Sequence, residues 1–349
     1  MKEQALAAIT GHGPLLPLAA FLLLGALIFA VAGRLARAAD AIADTTGLGR
    51  AWIGAILLGA STSLPEVTTD INASLLDVPD IGVGDLMGST LANMLILALL
   101  DLVYAKESIL HKVAVNHAVV GLLAIALTMI AGIAIATGGF GRIGHVGVES
   151  LVIVGVYLLG MRVFYQLTRT ASAGLIPDAP HAGTGPDPVA SRRQRLRAAL
   201  WTFALSAVAL VIVTPLLVLA AEGISIESGL SETLIGTLLV GITTSFPEIA
   251  ATVAAVRLGA VDLAVGNIFG SNAFNMCVIL FMDLAYVEGP VLASVSQAHV
   301  MTAQLAALSL SFGVIGLMSR LEQRSAVTRF GSLLVVACYA AGIWLLSRG

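Results

Sequence analysis

Ten apolar stretches divide this chain, at residues 14–33, 48–76, 81–104, 113–137, 146–168, 198–222, 231–258, 261–286, 294–318 and 327–347, each bounded by charges or by Gly, Pro and polar clusters. Most have about the 20 residues that carry a helix across a bilayer. Lipid offers no water to backbone polar groups, so runs such as Leu205 to Leu219 must be helical. The alternating segments of a transmembrane barrel are absent from the sequence. Only 11% of the 349 residues are charged, against about 25% in soluble domains. The sequence therefore predicts an all-α polytopic membrane protein with ten transmembrane helices. A net charge of −3 gives no field for steering nucleic acid, so no nucleic-acid partner is expected. The first stretch is expected to stay as a span, because its core is too long for a signal peptide and Arg34 and Arg37 follow it rather than precede it. Cys277 and Cys338, far apart and each in an apolar stretch, are expected to be packing residues.

Residues 169–197 form the one long connection, with Pro177, Pro180, Pro186 and Pro188 ahead of Arg192, Arg193, Arg195 and Arg197. It reads as a flexible linker between two halves, 1–168 and 198–349, of five helices each. Placing this linker in the cytoplasm leaves only Lys2, Arg142 and Arg348 of the 18 basic residues outside. Both termini are then expected to face outward.

An offset of 182 residues aligns 59–104 with 241–286 without a gap, giving 17 identities over 46 positions. They include Gly59/Gly241, Thr62/Thr244, Ser63/Ser245, Pro65/Pro247, Glu66/Glu248, Gly84/Gly266, Gly88/Gly270, Ser89/Ser271, Asn93/Asn275 and Asp101/Asp283. Chance similarity between apolar helices favours Leu, Ala and Val, whereas these matches concentrate in Gly, Pro, Ser, Asn and Glu, so duplication explains them. An odd number of helices per half inverts the second copy. Inverted repeats with interrupted helices meeting at the midplane are the architecture of secondary transporters.

The ionisable residues near the centre of a span are acidic: Glu66 and Glu248, with Asp70 and Asp85 nearer one face. A carboxylate in hydrocarbon needs a cation, a proton or water, and no Lys or Arg lies at comparable depth. Pro65 and Pro247 interrupt the helical hydrogen bonding beside each Glu and free carbonyls there. Ser89 and Asn93, like Ser271 and Asn275, share a helix face at i, i+4, and Gly84, Gly88, Gly266 and Gly270 permit close helix approach. A shell of carboxylates, hydroxyls, amides and carbonyls suits Ca2+ or Na+, not Zn2+ or Cu2+. Two negative charges balance one divalent ion or two monovalent ions, and an emptied site must refill before the carrier reorients.

The segments GASTSLPE with GVGDLMGSTLAN, and GITTSFPE with AVGNIFGSNAFN, resemble the two alpha repeats of the calcium/cation antiporter superfamily, in particular its prokaryotic sodium/calcium exchanger branch. The resemblance implies that Glu66 and Glu248 hold Ca2+ with Thr62 and Thr244. It implies Na+ binding through Ser63, Ser89, Ser245, Ser271 and the Gly59 and Gly241 carbonyls, with Asn93 and Asn275 completing the central site. It also implies that the first and sixth helices slide across the other eight during alternating access.

Asp70 and Asp85 have Thr252 and Asn267 as repeat equivalents, and Thr90 stands where the second repeat has Asn272. Both acids are expected toward the outer face, where they either line the entrance as accessory acidic groups or take structural roles. The histidines are assigned no site, and Asp101 and Asp283 are expected to be solvated interface residues. The reading is a Ca2+/Na+ antiporter, with H+ as the next counter-ion. It has no cofactor and is not an enzyme, since no base sits at span depth beside Ser63 or Ser245. A cation channel is the weaker alternative, because two inverted broken-helix repeats converge on one site and no tandem filter is present. The carrier is expected to act as a monomer.

Overall fold

The computed structural model describes residues 15–103, 116–174, 188–228, 243–318 and 330–346. In chain order the elements are α1 (Leu15–Thr46), α2 (Arg50–Trp52), a π-helical turn (Ile53–Leu58), α3 (Gly59–Thr62), α4 (Leu64–Leu75), α5 (Pro79–Val103) and α6 (His117–Thr137). There follow β1 (Arg142–Ile143), β2 (Val146–Gly147), α7 (Val148–Gly174), α8 (Pro188–Ser228), α9 (Phe246–Arg257), α10 (Val261–Ala285), α11 (Val291–Ser294), α12 (Ala298–Met318) and α13 (Phe330–Leu346). The one departure from all-helical structure among the described residues is the antiparallel pair β1–β2, with Arg142 opposite Gly147.

Seven helical segments among the described residues are long and apolar enough to cross a membrane, and Phe330–Trp344 is a shorter apolar helix. The expected spans not among these, 48–76 and 231–258, are those that carry the Glu motifs. The first is helical in pieces, and the second is described only from Thr243.

Two boundaries differ from expectation. Helix α1 continues past residue 33 to Thr46. Its extension is amphipathic, exposing Arg34 and Arg37 while burying Leu35, Ala36, Ala39, Ile42 and Ala43. It stops where Gly47 takes φ +74° and returns its N–H to the Ala43 carbonyl at 2.9 Å. The expected linker 169–197 is helical at both ends, because α7 runs to Gly174 and α8 begins at Pro188, a first-turn position where a missing N–H costs nothing. Arg192 donates from Nε and Nη2 to the Thr45 carbonyl, at 2.9 and 2.6 Å, tying the start of α8 to the end of α1.

The molecule has its polarity turned inward. Leu22, Leu23, Leu158, Leu159 and Leu205 are exposed, whereas Glu66, Asp70, Glu248, Asn93 and Asn275 are buried. Helix α10 lies at the middle, packed against α4, α5, α6, α7, α9 and the whole 50–62 segment. Glycine makes that last crossing: a Cβ on Gly266 would sit 2.9 Å from the Ala51 carbonyl oxygen, and one on Gly270 would overlap the Ala55 carbonyl.

Asp101 and Asp283 are not solvated as expected. Asp283 is 1% exposed and accepts from Gly147 N at 2.9 Å and Val291 N at 2.7 Å; Asp101 accepts from Ser332 Oγ at 2.7 Å. Both acids satisfy donors at helix starts, Asp283 those of α7 and α11 and Asp101 that of α13, and each has a buried place because neighbouring segments fold over it.

Candidate cation site

The two Glu motifs form the same local structure. Ser63, at φ −85° and ψ 4°, separates α3 from α4; Ser245, at φ −79° and ψ 4°, precedes α9. Pro65 and Pro247 occupy the second helical positions after the breaks, and Glu66 and Glu248 fall in the first turns. The proline at 65 leaves the Ser61 carbonyl without an i+4 donor, and Pro247 does the same to Thr243. Each new helix is re-seeded by its Ser carbonyl, which accepts from Val67 N at 3.1 Å and from Ile249 N at 3.0 Å. A π-helical turn immediately precedes α3, a local widening frequent at functional sites.

Tertiary folding then pairs each half with the other. Thr62 Oγ1 lies 3.2 Å from Asn267 Oδ1, and Thr244 Oγ1 lies 3.1 Å from Asp85 Oδ1. Asn267 and Asp85 are repeat equivalents, so these are one contact made twice. Asn267 also donates to Thr252 Oγ1 at 2.9 Å, while its counterpart Asp85 approaches Asp70, the counterpart of Thr252, carboxyl to carboxyl. One half therefore carries a neutral Thr–Asn pair where the other carries two acids.

Around Thr62 the oxygens crowd together. Thr62 Oγ1 is 3.1 Å from the Gly59 carbonyl and 3.3 Å from Ser271 Oγ, which itself donates to the Gly59 carbonyl at 3.1 Å. Ser63 Oγ donates to Glu248 Oε1 at 3.1 Å. Asn275 Nδ2 donates to Ser89 Oγ at 3.1 Å, and Asn93 Nδ2 donates to Asn272 Oδ1 at 3.0 Å. The duplication is incomplete here. The counterpart of Asn272 is Thr90, whose hydroxyl turns back to the Leu86 carbonyl at 2.9 Å, so Asn275 meets Ser89 instead.

Several buried oxygens are left without a donor: both of Glu66, both of Asp70, Oε2 of Glu248, Oδ2 of Asp85, Oδ1 of Asn93, Oδ1 of Asn275 and Oγ of Ser245. Glu66 lies within electrostatic reach of Glu248, Asp85 and Asp70, and no Lys or Arg is buried among the described residues. No group of three or more His, Cys, Asp or Glu side chains is arranged to hold a metal among the described residues. A cation in this region would take its remaining ligands from neutral oxygens of Ser, Thr, Asn and the backbone.

The sequence-predicted residues Glu66, Glu248, Thr62, Ser63, Ser271 and Gly59 are thus in one connected region, and Ser89, Asn93 and Asn275 join it through α5 and α10. Thr244 and Asp85 form its other flank, with Asp70 buried behind Asp85. Gly241 lies outside the described residues. A Cβ on Gly84 would meet His299 Cε1 at 3.4 Å and no helix backbone, and one on Gly88 would have no described atom within 4 Å.

Asn267, Asn272 and Thr252, named from the sequence only as the repeat equivalents of Asp85, Thr90 and Asp70, were given no site role there. Sequence reasoning also assigned nothing to the histidines. His117 and His299 are 182 positions apart, the repeat offset, and each sits against the repeat-matched acid of the other half. His117 Nε2 is 3.1 Å from Asp262 Oδ1 and His299 Nε2 is 3.1 Å from Asp80 Oδ1. These pairs clamp the first turn of α10 to the start of α6 and the first turn of α5 to the start of α12.

Comparison with known proteins adds three findings. The family model described as sodium/calcium exchanger protein matches residues 16–166 and 198–348. Inner membrane protein YrbG of Escherichia coli is 28% identical over 278 residues, 78% of this chain and 81% of that protein, and sodium/calcium exchanger MaX1 of Methanosarcina acetivorans is 40% identical over 81 residues, 23% of each. The solved structure of the sodium-calcium exchanger NCX_Mj, soaked with Na+ and Sr2+, superposes with a TM-score of 0.70 at 20% identity, covering 95% of this chain and 98% of that one.

Proposed function

Because the chain belongs to the sodium/calcium exchanger protein family, and is thereby a membrane cation antiporter, we propose that it exchanges Ca2+ for Na+ by alternating access at a site built on Glu66 and Glu248. One observation carries this reading: two buried carboxylates stand in the first turns of matched helix breaks, with no buried Lys or Arg among the described residues and with donor-less oxygens beside them. Ca2+ takes its charge balance from the two glutamates and further ligands from Thr62, Thr244 and neighbouring carbonyls. Na+ competes through Ser63, Ser245, Ser89, Ser271 and the Gly59 and Gly241 carbonyls, with Asn93 and Asn275 between.

The asymmetry of the present contacts supports a carrier seen in one of two states. Ser63 holds Glu248, whereas the equivalent Ser245 hydroxyl and both Glu66 oxygens have no partner. In an inverted ten-helix carrier the opposite state would exchange these roles. In this reading residues 1–168 and 198–349 are the two halves, 169–197 joins them in the cytoplasm, both termini face out, and the carrier acts as a monomer. Asp70 and Asp85 form an accessory acidic site, since a cation between two adjoining carboxylates relieves their repulsion.

The test is Ca2+ flux into proteoliposomes under a Na+ gradient and, separately, a pH gradient. Uptake driven by Na+ and abolished by Glu66→Gln supports the reading; uptake driven only by the pH gradient makes H+ the counter-ion; no uptake under either gradient refutes it.

A further inference from the structure

Between α1 and α8 lies an open cavity of about 420 Å³ lined by Arg34, Arg37, Asp44 and Arg195, with alanines from both helices at its floor. The helices run antiparallel, as the Arg192 to Thr45 bonds require, and their small residues set the floor back. From Arg34 to Thr45 the α1 wall extends about 16 Å at 1.5 Å per residue. Of the charged groups lining it, Asp44 is engaged by Arg50 at 3.0 Å. Arg34, Arg37 and Arg195 make no ion pair among the described residues.

This cavity sits where two apolar runs give way to charge: α1 is apolar up to Val31, and α8 becomes apolar after Arg197. Just on the apolar side, Leu27, Leu200 and Leu205 are exposed, and Trp201, 59% exposed, stands where aromatic residues mark headgroup depth. Three guanidinium groups with no ion pair among the described residues, above an exposed leucine and tryptophan surface, match a ligand with an anionic phosphate at one end and acyl chains at the other. We propose that the α1–α8 cleft binds the phosphate headgroup of an anionic phospholipid, its acyl chains lying along Leu27, Trp201 and Leu205. Arginine suits this role because its planar fork takes phosphate oxygens in pairs. Basic pockets between membrane helices take anionic headgroups in this way. The bound lipid would tie α1 and α8 together at the leaflet surface.

The experiment uses the full-length protein purified in detergent, then titrated with phosphatidylglycerol, phosphatidylcholine or inorganic phosphate while thermal stability and retained lipid are measured. Phosphatidylglycerol should stabilise and stay bound, and phosphatidylcholine should not. Replacing Arg34, Arg37 and Arg195 together by Gln should weaken phosphatidylglycerol binding by roughly a hundredfold, from about three surface charges. Arg142→Gln, on the β1–β2 hairpin, should leave it unchanged. Ala198→Phe, which fills the cleft and keeps every charge, should also displace the lipid, so a folding defect in the triple variant does not decide the matter. Full retention in both cleft variants overturns the proposal, as does equal stabilisation by inorganic phosphate.

Discussion

The crossing of α10 over residues 50–62 makes Gly270→Ala a decisive perturbation. A Cβ at position 270 would lie 2.5 Å from Ala55 Cα and 2.6 Å from Ala55 C, with the Ala55 oxygen nearer still. Carbon contacts are comfortable at about 3.5–4.0 Å, so α10 must withdraw by about 1 Å. The same withdrawal lengthens the Thr62–Ser271 contact of 3.3 Å and the Ser271–Gly59 bond of 3.1 Å. Both then pass beyond hydrogen-bond range, which ends near 3.5 Å. Overpacking costs about 1–3 kcal/mol, and two lost hydrogen bonds about 0.5–1.5 kcal/mol each. At about 1.4 °C per kcal/mol for a chain of 349 residues, the sum of about 2–6 kcal/mol should lower the melting temperature by roughly 3–8 °C. Because the displaced oxygens are proposed ion ligands, added Ca2+ should stabilise the variant less than wild type. Gly155→Ala, on the exposed face of α7 with no described atom near it, is the control and should be neutral. Melting in detergent with and without Ca2+ reads both effects; a Gly270→Ala protein that melts with wild type and keeps the full Ca2+ increment would refute the argument.

Glu66→Gln and Glu248→Gln should each reduce Na+-driven Ca2+ uptake by roughly tenfold or more, since each removes a charge-assisted ligand; unchanged flux in either would exclude that residue. Ser63→Ala should destabilise the ion-free protein by about 1–3 kcal/mol, because it leaves a buried Glu248 oxygen without its donor. Ser245→Ala, whose hydroxyl has no partner, should cost less than about 0.5 kcal/mol, and comparison of the two melts checks it. Asp85→Asn should fold normally, since an amide oxygen still accepts from Thr244 as Asn267 faces Thr62, while Ca2+ affinity in oriented vesicles falls from one side only. An outside affinity unchanged from wild type would leave Asp85 a structural residue. His117→Ala should lower the melting temperature more than His299→Ala, because His117 is fully buried and His299 is not; equal shifts would show that the pairs, not the packing, carry the stability.

Much of this was legible before any folding was considered. A break needs only local chemistry, so Ser-Leu-Pro-Glu and Ser-Phe-Pro-Glu announced helix interruptions with Glu in the following turn, and both formed so. The apolar runs announced the helices because lipid leaves the backbone no alternative. The length of α1 was not legible from hydropathy: its second half is covered by a neighbouring helix on one face only, and averaged hydropathy does not register a half-buried surface. The same applies to Asp101 and Asp283, which looked like solvated helix-end acids until other segments folded over them.

Composition and duplication by themselves determined a helical membrane protein and the residue types at its centre, because lipid and proline act on the chain locally. Only the tertiary structure decided which oxygens meet. Thr62 reaches Asn267, Thr244 reaches Asp85 and Ser63 reaches Glu248 across well over a hundred residues, and a hydrogen bond of about 3 Å depends on how closely helices cross. That closeness is set at Gly266 and Gly270, where backbone meets backbone and a single methyl group would separate the partners.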